Sequence, residues 1–366
     1  MSLKAGIVGL PNVGKSTLFN AITKQKALAA NYPFATIEPN VGTVIVPDKR
    51  LDGLKEIYNP QKIIPTFFEF IDIAGLVKGA ASGEGLGNKF LSHIREVDAI
   101  CHIVRCFTDK NITHVEGEIN PIRDIEIINL ELGLADLEIV ENRLARIEKK
   151  AISSKDKEAL LEVDILKKVK EVLLKSEKAS KANLTDEELK IIKSLNLITL
   201  KEVIYLCNIS EEDINNNSNK YVDIVKEYAL NEDSEVITIC ASIESELIEL
   251  EEAEKAEFLK ELGIEESGLD KVINATYKLL GLETYFTAGE KEVHAWTYHK
   301  GMKAPDCAGI IHTDFKKGFI RAEVFNYIDI IEYKNEKTVQ EKGKLRVEGK
   351  EYIMQDGDIC HFRFNV

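Results

Sequence analysis

Residues 9–16 read G-L-P-N-V-G-K-S, a spacing of glycines, lysine and hydroxyl that suits the triphosphate of a nucleotide. Gly9 and Gly14 let the backbone curl so that successive N–H groups point at phosphate oxygens. Lys15 supplies a positive charge for the β and γ oxygens, and the hydroxyl of Ser16 is a ligand for Mg²⁺. Chemistry of this kind needs a rigid frame. The apolar run 5–8 before the loop predicts a buried parallel strand, and residues 17–22 after it carry helical spacing. The start of a helix behind the loop adds a dipole favourable to an anion.

Two further segments extend the same chemistry. The strand-like run 66–71 leads into Asp72-Ile73-Ala74-Gly75, a D-x-x-G arrangement. Asp72 at a strand end is expected to hold Mg²⁺ through water, and Gly75 to bring its N–H close to a γ-phosphate. Thr36, in the segment N-Y-P-F-A-T, is expected to be the second hydroxyl ligand of the ion. Leu76 stands where many related GTPases carry a glutamine that orients the attacking water. Leucine has no hydrogen-bonding group, so another residue must position that water.

The base-reading element departs from the guanine pattern. An N-K-x-D sequence normally reads guanine with its carboxylate; here the strand ends Asn208-Ile209-Ser210-Glu211. The ring-covering lysine is Ile209, and the acid is one methylene longer at Glu211. A carboxylate out of hydrogen-bonding register selects poorly. Adenine presents an amine and ring acceptors that the Asn208 amide and nearby backbone could read, so ATP is expected over GTP. Ser242, after the run 235–240, is the expected last-loop contact beside the base.

Composition frames these motifs. The chain has 366 residues, 44% hydrophobic and 30% charged, with no apolar run near the roughly 18 residues that span a bilayer. The first strand begins almost at residue 1, which leaves no room for a signal peptide. Six cysteines without a C-x-x-C pair fit reduced thiols in a cytoplasmic protein. A net charge of −14 argues against a surface that binds nucleic acid everywhere, though not against a local basic patch.

The texture along the chain predicts an α/β protein of three parts. Segments 1–123 and 198–280 alternate apolar runs and loops, as in a mostly parallel sheet. Segment 124–197 is a charged helical insertion, a hairpin or coiled coil turning near Ser153 to Asp156. Its expected apolar stripes are Ile127, Leu130, Leu134, Leu137, Leu144 and Ile147, then Leu161, Leu166, Val169 and Leu173. Segment 281–366 is rich in strands and turns and reads as a small α+β domain.

Together these residues resemble the YchF-type Obg-like ATPases, a subfamily of the Obg-related P-loop proteins. The matching pieces are 9–17, 31–42, 72–91, 208–211 and 303–324, with D-I-A-G-L and N-x-x-E in one chain. The resemblance implies a nucleotide domain, an inserted helical hairpin and a C-terminal TGS domain of β-grasp type. It implies ATP hydrolysis with Mg²⁺, ribosome association and a regulatory role in translation or stress. By resemblance Asn12, Val13, Gly14, Lys15, Ser16 and Thr17 match the phosphate loop, Asn208 and Ile209 meet adenine, Ile209 through its backbone, and Asn12 matches an asparagine that helps bind K⁺. His114 matches a histidine thought to compensate for the apolar residue at Leu76. Lys149, Lys150, Lys155, Lys157, Lys167, Lys168 and Lys170, with Lys316, Lys317 and Arg321, read either as solvated charge or as contacts to ribosomal RNA phosphates. Two other functions stay open: a GTP-preferring Obg-type GTPase, and a nucleotide-gated binding protein whose hydrolysis is a timer.

Overall fold

A computed structural model describes residues 3–29, 41–73, 86–109, 117–154, 156–215 and 218–365. The strands are β1 (Lys4–Val8), β2 (Val41–Ile45), β3 (Lys62–Ile64), β4 (Phe67–Asp72), β5 (Ala99–Arg105), β6 (Glu202–Asn208), β7 (Glu235–Ile239), β8 (Leu282–Ala288), β9 (Glu292–His299), β10 (Phe319–Asn326), β11 (Arg346–Glu348) and β12 (Asp358–Phe364). They form two sheets of six, and the described residues divide into two compact units.

The first sheet has the order β2-β4-β1-β5-β6-β7. Its neighbours from β4 through β7 are all parallel. Parallel strands are covered on both faces, which is why β5 is buried along its whole length and β6 at all but its first residue. This is the α/β fold the apolar runs predict. Every strand of such a sheet delivers its following loop to the same edge, where ligands bind.

The insertion contains helix α4 (Pro121–Ser154) and helix α5 (Lys157–Leu174), named here after α1 (Lys15–Ala29), α2 (Arg50–Tyr58) and α3 (Leu86–Glu96). The Asp156 carboxylate caps α5 by accepting from the N–H groups of Glu158 and Ala159. Ion pairs Lys167–Glu148 and Lys170–Glu141 advance along α5 while retreating along α4, so the two helices are antiparallel. Val140, Leu144, Val163, Leu166, Val169 and Leu173 form the seam between them. The expected stripe is only partly the buried one: Leu130, Leu134 and Leu161 are each 45% exposed, while Ile125, Ile128, Leu132 and Ala135 are buried. Near its root α4 packs against the nucleotide-binding sheet, and the buried face there is set by that contact. At the root, Asp136 is fully buried and accepts from the N–H groups of Ile198 and Thr199, the Thr199 hydroxyl and Arg95. It fastens the outgoing helix to the returning chain.

Under the sheet face near α4 lies a buried polar cluster. Lys178 and the Tyr205 hydroxyl both donate to Glu232, Tyr228 donates to its other oxygen, and His102 packs against the Tyr205 ring. Burial, reinforced by the charge of Lys178, pushes the His102 imidazole down to about 3 from the ordinary 6.5. The unfolded chain therefore takes up a proton below pH 6.5 that the folded chain refuses. Stability is complete above that pH and is lost as pH falls toward 3, at about 1.4 kcal/mol per pH unit. At pH 5 the loss is about 2 kcal/mol, so His102→Gln should flatten the change in urea midpoint between pH 7 and pH 5. An equal shift in wild type and variant would count against it.

The second unit holds the sheet β11-β10-β12-β8-β9-β3. It is mixed: β12 runs parallel to β8 and β3 parallel to β9, while the other pairs are antiparallel. Alternate residues build two cores. Phe286, Phe325 and Ile359 join Leu51 and Leu54 of α2, whereas their neighbours Tyr285, Val324 and Cys360 join Cys307 and Ala308. Segment 43–68, read above with the nucleotide domain, contributes α2 and β3 to this unit, where β3 pairs with β9. All six cysteines are buried, and none is in a disulfide.

Candidate functional site

A cavity of about 1060 Å³ opens at the carboxyl ends of β1, β5, β6 and β7, large enough for a nucleotide. Its phosphate side is the loop between β1 and α1. Asn12 and Gly14 both have positive φ, 64° and 96°, which reverses the chain and starts α1 at Lys15. Gly9 serves a different purpose from Gly14. A Cβ on Gly9 would lie 2.6 Å from the Ile103 side chain and 2.9 Å from its carbonyl oxygen, so the loop leaves the sheet pressed against β5. Asn12, Gly14, Lys15, Ser16 and Thr17 line the cavity. Val13 does not: its side chain is in the core, and its contribution is a carbonyl. The first turn of α1 carries no acidic residue, which leaves its N-terminal partial charge available to an anion.

The base side is organised by Asn208, the last residue of β6. Its Nδ2 donates to the Val13 carbonyl at 2.9 Å, and its Oδ1 accepts from the Ala241 N–H at 3.0 Å. One buried amide thus joins the phosphate loop to the start of helix Ala241–Leu247. A Cβ on Gly14 would sit 2.2 Å from Asn208 Nδ2, so glycine there is required by this contact as well as by φ. The Asn208 carboxamide is therefore a frame for the pocket before it is a reader of the base. Ile209 donates its N–H to the Ile239 carbonyl at 2.8 Å, which leaves its own carbonyl as the polar group it offers. Ile209, Glu211 and Ser242 all line the cavity, and Glu211 and Ser242 are exposed.

At the end of β4, Asp72 forms an ion pair with Lys15, the two side chains being 22% and 11% exposed. The register of β4 against β1 sets Asp72 beside Ile7, two residues before the loop. Ser16 follows Lys15 on α1. An aspartate paired with Lys15 and a hydroxyl on the next residue are a donor set suited to a hard divalent ion that also takes phosphate and water oxygens. Among the described residues no group of three or more His, Cys, Asp or Glu side chains could hold a metal by itself. Thr36, Gly75, Leu76 and His114 lie outside the described residues, as does the glycine-rich segment 79–85.

Part of the site carried no motif. Phe107, Thr108 and Asp109, just beyond β5, form a wall of the cavity. Arg105 donates to the carbonyls of Phe107 and Asp109 and lies over the Phe107 ring. Asp213 also lines the cavity, held by the Ser210 hydroxyl at 2.8 Å and by Asn219 at 3.1 Å; Asn219 reaches on to the Cys106 carbonyl. The one sequence signal was an arginine closing an otherwise apolar strand, A-I-C-H-I-V-R.

Comparison with known proteins agrees with this geometry. Residues 4–135 match the family model described as a 50S ribosome-binding GTPase, and residues 282–365 match YchF-GTPase_C, described as a protein of unknown function. The chain is similar to the ribosome-binding ATPase YchF of Bacillus subtilis, 60% identical with 100% of both chains covered. It is 54% identical to the protein of the same name from Escherichia coli O157:H7, again over 100% of both. Among solved structures, the Schizosaccharomyces pombe YchF GTPase superposes with a TM-score of 0.88 at 44% identity, over 99% of this chain and 98% of that one. A GTP binding protein from Pyrococcus horikoshii, 22% identical with a TM-score of 0.62 over 99% and 100% of the two chains, shares the fold. With full-length identity at this level, a nucleotide cavity framed by N-x-x-E and a C-terminal unit matching its own family model, the chain belongs to the YchF family.

Proposed function

We propose that this protein binds ATP with Mg²⁺, hydrolyses it to ADP, and is read by the ribosome according to which nucleotide it holds. The observation that carries the base preference is the engagement of two backbone donors. The N–H groups of Ile209 and Ala241, which flank the base end, are bonded to the Ile239 carbonyl and to Asn208 Oδ1. A guanine keto oxygen needs a donor there, whereas an adenine amine needs an acceptor such as the Ile209 carbonyl. The names of relatives differ on this point, ATPase for the bacterial proteins and GTPase for the fission-yeast structure.

In this reading Lys15 and the loop N–H groups hold the phosphates, and Ser16, Asp72 and Thr36 hold the ion. Mg²⁺, when bound, neutralises charge on the β and γ oxygens. Asn12, exposed at the cavity rim, would take K⁺ as a second ion, and His114 would orient water in place of a glutamine at Leu76. The C-terminal unit is assigned as the TGS domain, with a β-grasp sheet and its central parallel pair β12–β8. With a ribosomal partner the protein would act in the cytoplasm; no described helix is long and apolar enough to cross a membrane. Contact with ribosomal RNA through the hairpin would have to displace existing ion pairs. Lys167, Lys168 and Lys170 already face Glu148, Glu188 and Glu141, and Lys316 faces Asp306.

Calorimetric titration with ATP, ADP, GTP and GDP in Mg²⁺ tests the base preference. Adenine nucleotides are expected to bind at least tenfold more tightly, a difference of about 1.4 kcal/mol. Equal or tighter binding of GTP would overturn it. Turnover measured with and without ribosomes then tests the partner.

A further inference from the structure

Arg105 ends β5 with its residue only 1% exposed, after six buried residues. Burying a guanidinium is costly unless its donors and its charge are both met. Here Nε donates to the Phe107 carbonyl at 3.2 Å and Nη2 to the Asp109 carbonyl at 3.4 Å. The guanidinium carbon lies 4.5 Å from the centroid of the Phe107 ring. Asp109 and Asp124 are close enough to stabilise the charge.

The arginine itself does not line the cavity, but all three residues it organises do. Strand register sets Arg105 beside Asn208, so both side chains leave the same face of the sheet at its ligand-binding edge. Asn208 fixes the phosphate loop and the loop after β7, while Arg105 fixes the loop after β5. A planar fork that bonds two carbonyls and stacks on a ring is a task lysine cannot perform.

We infer that Arg105 is a positioning residue of the nucleotide site: it holds residues 107–109 as a rigid wall, and so sets nucleotide affinity and base discrimination without touching the nucleotide. The inference rests on the nucleotide reading above. A wall held in place opposite Ile209 keeps the base at the depth where the Ile209 carbonyl can read it. A loosened wall lets the base shift, which weakens binding and erodes the preference together.

The test uses the full chain and three variants, Arg105→Lys, Phe107→Leu and the double variant, with ADP and GDP as probes. Folded Arg105→Lys is expected to raise the ADP Kd about tenfold and to lower the ADP-over-GDP preference at least threefold. Its kcat at saturating ATP should stay within about twofold, so the effect falls on KM. Amide exchange at residues 107–109 of the nucleotide-free protein should quicken. The double variant should be no worse than the stronger single one, because both act through one wall. Wild-type Kd and preference in a folded Arg105→Lys protein, or strictly additive effects, would overturn the inference. If Arg105→Lys loses its cooperative unfolding transition, Phe107→Leu decides: faster exchange at Thr108 and Asp109 with a raised Kd supports the wall, and unchanged values refute it. A wild-type protein that binds no nucleotide sinks the functional reading itself, whereas normal wild-type binding with an indifferent Arg105→Lys sinks this inference alone.

Discussion

Asn208→Ala is expected to weaken ATP binding about a hundredfold and to lower the melting temperature by several degrees. The substitution removes the donor to the Val13 carbonyl and the acceptor for the Ala241 N–H, both buried contacts. Each backbone group left without its partner costs about 1–3 kcal/mol, and both lie on loops that shape the cavity. The loss therefore divides between stability and binding, about 2.7 kcal/mol being needed for the affinity change alone. Asn208→Asp separates the two contacts. Its carboxylate can still accept from Ala241 but faces the Val13 carbonyl with like charge, so the phosphate loop should suffer more than the loop after β7. ATP titration and thermal unfolding of both variants check this. Affinity within threefold of wild type in a destabilised Asn208→Ala protein would show that the amide frames the fold and not the pocket.

Asn208 also shows what the sequence can and cannot disclose. Its place after an apolar strand marked it as a base-loop residue, because N-x-x-E is recognisable whatever surrounds it. Its bonds were not legible, since Val13 and Ala241 are close only after β1, β6 and β7 have paired. The phosphate loop was legible almost residue by residue: positive φ at Gly14 and close approach at Gly9 restrict the residue type directly. Arg105 was not, because the side chains and carbonyls it meets carry no local pattern. The stripe on α4 misled where the periodicity of leucine stood in for burial. Leu130 and Leu134 have the right spacing but sit on the helix face turned from the sheet. Segment 43–68 meets a related limit. Three residues, K-I-I, hold no information about which sheet they will join, and only the pairing with Glu292, Val293 and His294 decides it.

Asp72→Asn should produce opposite effects on binding and on turnover. The Lys15 ammonium is paired with Asp72, and both side chains are largely shielded from water. A triphosphate arriving alone must draw Lys15 away from that carboxylate and approach a second negative charge. Removing the charge relieves both costs, so in EDTA the variant is expected to bind ATP about tenfold more tightly than wild type, a gain of about 1.4 kcal/mol. With Mg²⁺ the balance would reverse in wild type, because the ion would give Asp72 a positive partner and free Lys15 for the phosphates. An asparagine would hold the ion and its water shell more weakly, and turnover should fall at least a hundredfold, about 2.7 kcal/mol in the barrier. Lys15→Met provides the contrasting arm: it removes the charge that both partners compete for, and should weaken ATP binding with or without the ion. Titrations in EDTA and in Mg²⁺, with single-turnover hydrolysis on the same proteins, give all three readings. Tighter binding confined to the ion-free condition would identify the Lys15–Asp72 pair as the latch that a nucleotide opens only in company with its metal; an Asp72→Asn protein that binds no better in EDTA, or hydrolyses at the wild-type rate, would leave that pair a bystander.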